Sequence, residues 1–266
     1  MNRSCRQARS RIPLPVRYTC FLACLLWLPA VHASVCNPED FHGTYGFLLT
    51  GQANIGAGWQ TAASVGQLVL DGSGNLSGVA SVNFTGLYLG NPVTGTYEAH
   101  TDCTVVWNLQ DDSGNFQHFQ GTMSEDGRRV SFHQSDPGGA RDGTMFRMAS
   151  DCPVQSFRGR YRVRVSGATI DVQTGQVSGA ISTEGLLEAD GAGELAFAPG
   201  ASSALLAAGT YDFEDGCFLH MAVELPAGGN ETPVLNFRAV LAADGTAVVG
   251  VQSDPGTAVV LRLTAR

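Results

Sequence analysis

Apolar and polar residues alternate along most of this chain, in segments of five to eight residues punctuated by Gly and by Asp-Gly. A period of two marks strands with one buried face, and the helical period is nearly absent. In Arg160-Tyr161-Arg162-Val163-Arg164-Val165 the apolar set and the three Arg take opposite faces, one for a core and one for water. The same phase turns Tyr45, Phe47 and Leu49 inward in the first half of the chain. Asp71-Gly72-Ser73-Gly74 and Asp190-Gly191-Ala192-Gly193 read as hairpin turns, because Gly accepts positive φ at little cost and Asp tolerates it. Counting runs in the first half predicts about eight strands: 44–50, 66–70, 76–84, 95–100, 104–109, 118–124, 129–134 and 144–148. The fold class is therefore all-β. Eight short antiparallel strands joined by tight turns favour an up-and-down barrel, which leaves no exposed sheet edge, over a two-sheet sandwich.

The pattern occurs twice. Cys36, Phe41, Gly43, Tyr45 and Gly51 return as Cys152, Phe157, Gly159, Tyr161 and Gly167, all shifted by 116 residues. Gly66, Leu68, Asp71, Gly72, Gly74 and Leu76 return at a shift of 119, Gly95-Thr96-Tyr97 and Cys103 at 114, and Gln134-Ser135-Asp136-Pro137-Gly138 at 118. The drift falls between segments, as it does when loops change length and strands keep register. Two tandem modules are expected, over residues 34–150 and 151–266, each long enough to bury a core of its own.

Composition adds a compartment. Residues 1–33 carry five Arg and no acid, and end on an apolar run around Leu22 to Leu28 and on Val31-His32-Ala33. This reads as a signal peptide cut after Ala33, with an apolar stretch too short to span a bilayer. Val35 before Cys36 argues against a lipid-attachment site. Without this segment the chain holds 11 basic and 24 acidic residues, a net charge of −13, and it has no Lys at all. An acidic surface with scattered Arg excludes a nucleic-acid partner and predicts a soluble exported protein, periplasmic or extracellular, with no membrane span. Four cysteines then remain and allow three pairings; the repeat favours Cys36 with Cys103 and Cys152 with Cys217.

Gly43-Thr44-Tyr45-Gly46-Phe47, the run Gly66 to Gly78 with Asp71-Gly72-Ser73-Gly74-Asn75, and Gly95-Thr96-Tyr97 leading to Asp102-Cys103-Thr104 together resemble a pattern of secreted bacterial β-rich repeat proteins of unknown function. The resemblance implies no activity. In the second module Gly216-Cys217-Phe218 departs from it. In architecture the modules look like lipocalin-type barrels, although the Gly-x-Trp mark of that family is missing around Trp59.

No serine-nucleophile elbow, phosphate loop or dinucleotide fingerprint is present. His100, His118 and His133 fall on outward phases with spacings that match no zinc pattern, so neither a metal nor a cofactor is expected. Asp71-Gly72-Ser73-Gly74-Asn75 lacks the later acid of a calcium loop, and the sequons at Asn75, Asn83 and Asn230 are three-residue patterns only. Inward polar groups are few: Tyr45, Tyr97, Gln117 and Gln134, with Trp107 beside them. An apolar cavity with a few directed polar groups suits a small apolar ligand; the same residues also suit a filled core. The reading is a non-enzymatic binding or interaction module with no identified protein partner. An isomerase or cyclase of the barrel type, using Tyr97 and Gln134, and a passive envelope-associated protein are the alternatives.

Overall fold

The computed structural model describes residues 35–54, 58–171, 173–199, 206–224 and 234–266; the expected signal peptide and the Asn230 sequon lie outside them. The described residues form two closed antiparallel barrels of eight strands each. The first consists of β1 (Gly43–Asn54), β2 (Trp59–Leu70), β3 (Asn75–Phe84), β4 (Leu87–Ala99), β5 (Thr104–Asp111), β6 (Phe116–Met123), β7 (Arg129–Gln134) and β8 (Gly139–Arg147), closed by pairing of β8 with β1. The second consists of β9 (Arg158–Asp171), β10 (Gln176–Asp190), β11 (Glu194–Pro199), β12 (Leu206–Phe213), β13 (Phe218–Glu224), β14 (Val234–Leu241), β15 (Ala247–Gln252) and β16 (Thr257–Ala265), closed by β16 on β9.

The tight turns follow from short side chains that fold back on the backbone. The Asp71 carboxylate accepts from the Ser73 and Asn75 amides at 2.7 and 3.0 Å, and Asp190 accepts from those of Ala192 and Glu194 at the same distances. Gly72 and Gly191 sit at φ of +80°, which a side chain would make costly. Several strands are longer than their patterns predict: β1 runs on to Asn54, β2 begins at Trp59 and β8 at Gly139, and β4 begins at Leu87, not near Gly95. Pro92 looks like a break in the sequence, but β4 meets β5 only from Val93 onward. Before that point it is an edge paired with β3 alone, where a missing N–H is tolerated.

One end of each barrel is stoppered. In the first, the 3-10 turn Pro38–Asp40 leads Phe41 into the lumen, with its ring 5.2 Å from Tyr45 and 5.5 Å from Tyr97, both contacts edge-on. Phe157 plugs the second barrel in the same way, its ring tilted on Tyr161 at 5.1 Å and edge-on to Tyr211 at 4.9 Å. A disulfide anchors each stopper, Cys36 to Cys103 and Cys152 to Cys217, the pairing that the repeat favours.

The outward phase does not everywhere mean water. Leu48, Val65 and Phe146 leave the first barrel on that phase, yet they are buried against Phe218, Val240, Val249 and Val260 of the second. Strands β1 and β2 are thus covered on both faces, as their unbroken buried runs show. Polar groups fix the seam. Asn83, fully buried, donates to the carbonyls of Gln252 and Thr257 at 3.0 and 2.6 Å and accepts from the Gly86 amide. Arg238 lies over the Phe218 ring, donates to Ser81 Oγ at 2.6 Å and pairs with Glu214.

Candidate functional site

The lumen of the first barrel is filled from the stoppered end by aromatic rings. Beyond Phe41, Tyr45 and Tyr97 comes Trp107, stacked on Phe119 at 5.4 Å and met edge-on by Phe132 at 4.9 Å. Past this layer, toward the end that carries the β1–β2, β5–β6 and β7–β8 connections, packing is incomplete. A cavity of about 90 Å³ remains, walled by Leu49, Leu68, Val93, Leu109, Phe119 and Met145 among others. Trp107 forms its floor, and Gln117, Asn91, Asp111 and Arg141 bring polar groups to its mouth.

Arg141 is the unusual member. It is the third residue of β8, on the inward phase with Met145, and only 7% of it is exposed. Its Nε donates to Gln134 Oε1 at 2.8 Å and one Nη to Gln117 Oε1 at 2.7 Å. Both acceptors are neutral amides. Burial pulls its pKa below the ordinary value, and the Asp136 carboxylate, one amide away, opposes that shift. Asp136 in turn accepts from Gln134 Nε2, from the His118 amide and from His118 Nδ1, each at 2.8 Å. The other acid at the cavity, Asp111, is turned into its own loop, accepting from the Ser113 and Asn115 amides. The guanidinium is therefore held in place by amides rather than neutralised by a carboxylate, a costly way to bury a cation.

The second barrel shows what the same frame does without it. Gly51 pairs with Arg141 across the first closing seam, and Gly167 pairs with Val259 across the second. Leu109 pairs with Gln117, and Val223 with Leu235. Arg141 and Gln117 thus correspond to Val259 and Leu235, both buried in a core made of apolar side chains and two Tyr. The Gln–Asp bracket persists: Gln252 Nε2 donates to Asp254 at 2.9 Å, and Asp254 accepts from the Asn236 amide. Gln252 Oε1, where an arginine would bind, is buried without a hydrogen-bond partner among the described residues.

Of the residues singled out from sequence, Trp107 and Gln117 line the cavity and Gln134 stands directly behind it, holding Arg141. Tyr45 and Tyr97 lie at the stoppered end, outside the cavity wall. The Tyr45 hydroxyl donates to the Gly127 carbonyl at 2.5 Å, and burial pushes its pKa up. His118 and His133 are exposed on the outer wall, and among the described residues no group of His, Cys, Asp or Glu is placed to hold a metal. Sequence reasoning passed over Arg141, although one signal was available: an arginine on an inward phase whose counterpart is valine.

No protein-family model matches the chain, and no curated protein matches it. Among solved structures, a protein of unknown function of the DUF3598 family from Nostoc punctiforme PCC 73102 is similar, at 9% identity over 86% of this chain and 98% of that one, with a TM-score of 0.25. Among the described residues no helix is long and apolar enough to cross a membrane.

Proposed function

We propose that this is an exported, non-enzymatic binding protein that holds a small, largely apolar molecule in the lumen of its first barrel, with the second barrel as a packed support. The observation that carries the reading is the difference between the two lumens: one has Val259 and Leu235 packed in an apolar cluster, the other has a cavity and a buried arginine on the corresponding rungs. A vacancy and an unneutralised cation both cost stability, and such costs concentrate where function requires them. Export after removal of residues 1–33 is supported by the charge pattern of that segment and by two disulfides, which persist in oxidising compartments. An origin of modules 34–150 and 151–266 by duplication is supported by the repeated spacings. Trp107 would form the floor of the site, Gln117 its wall, and Gln134 would hold Arg141. Tyr97 and Gln134, the pair a barrel isomerase would use, do not share this cavity, which favours binding over turnover.

Native mass spectrometry of the mature protein from its own host tests the reading. One retained small molecule per chain is the expected result. A chain that carries none and takes up no apolar probe contradicts it.

A further inference from the structure

We infer that the ligand of the first barrel carries a carboxylate or a similar compact anion on an apolar body, and that Arg141 reads that group. The inference rests on the binding reading above and adds the ligand's chemical class. It starts from what Arg141 lacks. Its two hydrogen bonds go to Gln134 and Gln117, and neither neutralises it. The remaining N–H groups of the fork have no hydrogen bond among the described residues, and the side chain lines the cavity. A guanidinium fork in this state matches a carboxylate in geometry and charge. Gln134 is itself locked by Asp136, so the fork is oriented before any ligand arrives.

The surroundings define the rest of the ligand. Leu49, Val93, Leu109, Phe119 and Met145 give an apolar wall with no donor or acceptor in their side chains, and Trp107 supplies a flat floor. A cavity of about 90 Å³ admits a short chain or a single ring rather than a long acyl tail. Asp111, the acid at the mouth, is occupied by its own turn, and by its charge it discourages an anion from binding anywhere but at the guanidinium. The second barrel, with Val259 and Leu235 on the corresponding rungs, has no anion-binding group there.

Calorimetric titration of the mature protein with hexanoate, hexanol and hexylamine separates head group from body. Hexanoate should bind on the order of ten-fold or more tighter than hexanol, the range of a charge-assisted hydrogen bond, and hexylamine should be the weakest. Arg141→Met should remove that preference, leaving hexanoate no tighter than hexanol, and Arg141→Lys should fall between, since it retains charge without the fork. Equal or tighter binding of hexanol by the unaltered protein overturns the anion inference and leaves the binding reading standing. So does unchanged hexanoate affinity in Arg141→Met. Failure of all three probes to bind the unaltered protein overturns both.

Discussion

Arg141 and Val259 occupy the same rung of two barrels, each paired across the closing seam with a glycine, Gly51 in one and Gly167 in the other. Around both, the backbone frame is the same down to the Gln–Asp bracket, so the difference between a lumen with a buried arginine and one with Val259 and Leu235 on the same rungs comes down to a few side chains. The fold fixes the rung but does not require an arginine on it, as Val259 shows.

A second exchange shows the two barrels filling one rung of the lumen from opposite strands. Phe132 pairs with Gly143 in the first barrel, and in the second the corresponding pair is Gly250 and Leu261. A Cβ added at Gly143 would stand 2.3 Å from the Phe132 ring. Gly143→Leu alone should therefore destabilise by overpacking, and Phe132→Gly alone by about 3–5 kcal/mol through the cavity it leaves. Together they should cost less than their sum, because each relieves the other. Urea unfolding of the two single variants and the double completes the cycle, and strict additivity would show that the pair is not coupled.

The seam between the barrels offers a different kind of test. Asn83 spends both ends of its amide on backbone groups, two of them in the second barrel. Asn83→Asp replaces the donor with a carboxylate aimed at two carbonyl oxygens and should destabilise by about 3 kcal/mol or more. Asn83→Ala, which leaves those groups unpartnered without adding a charge, should cost about 1–3 kcal/mol. Chemical denaturation measures both, and equal values would mean that charge at this site is screened by water.

Acid stability should be set by the turns. Side-chain hydrogen bonds from Asn75 and Ser73 hold Asp71 well below the usual carboxylate range, and amide hydrogen bonds from Ala192 and Glu194 lower Asp190. Asp102 and Asp126 are lowered chiefly by the hydroxyls of Thr104 and Ser124. A carboxyl whose folded pKa is depressed stabilises the fold fully above its unfolded value, about 3.9, and the contribution is lost as pH falls toward the folded value. The urea midpoint should thus be the same at about pH 7 and pH 5 as far as these groups are concerned, and lower at about pH 3. A midpoint that rises on acidification would contradict this role for the turn aspartates.

Much of this architecture was legible in the sequence because it is written twice. The cysteine pairing, the Asp-Gly turns and the inward tyrosines each recur at nearly constant spacing, and strands of period two declare their faces without help from tertiary contacts. Three features were less legible. Leu48 took the outward phase of its predicted strand and Val65 fell before the predicted start of the next, and a single strand cannot show that another barrel covers it. Arg141 follows Gly138-Gly139-Ala140 and looks like any loop-proximal surface cation. Its placement depends on the exact start of β8, the kind of boundary that local pattern leaves least determined. Likewise β4 extended through Pro92 because closure of the barrel stops short of it, a property of the pairing with β5 rather than of the segment itself.

In the proposed reading Arg141 and Gln117 serve binding at the expense of the core. Equilibrium urea unfolding of the ligand-free protein, compared with the double variant Arg141→Met and Gln117→Leu, tests it most directly, because those changes bring the first lumen close to the chemistry of the second. On that reading the double variant should be at least as stable as the unaltered protein, and more stable by up to about 4 kcal/mol, as when buried charged groups give way to apolar ones of similar volume. A loss of more than about 3 kcal/mol would contradict it and make the arginine a structural element of the barrel.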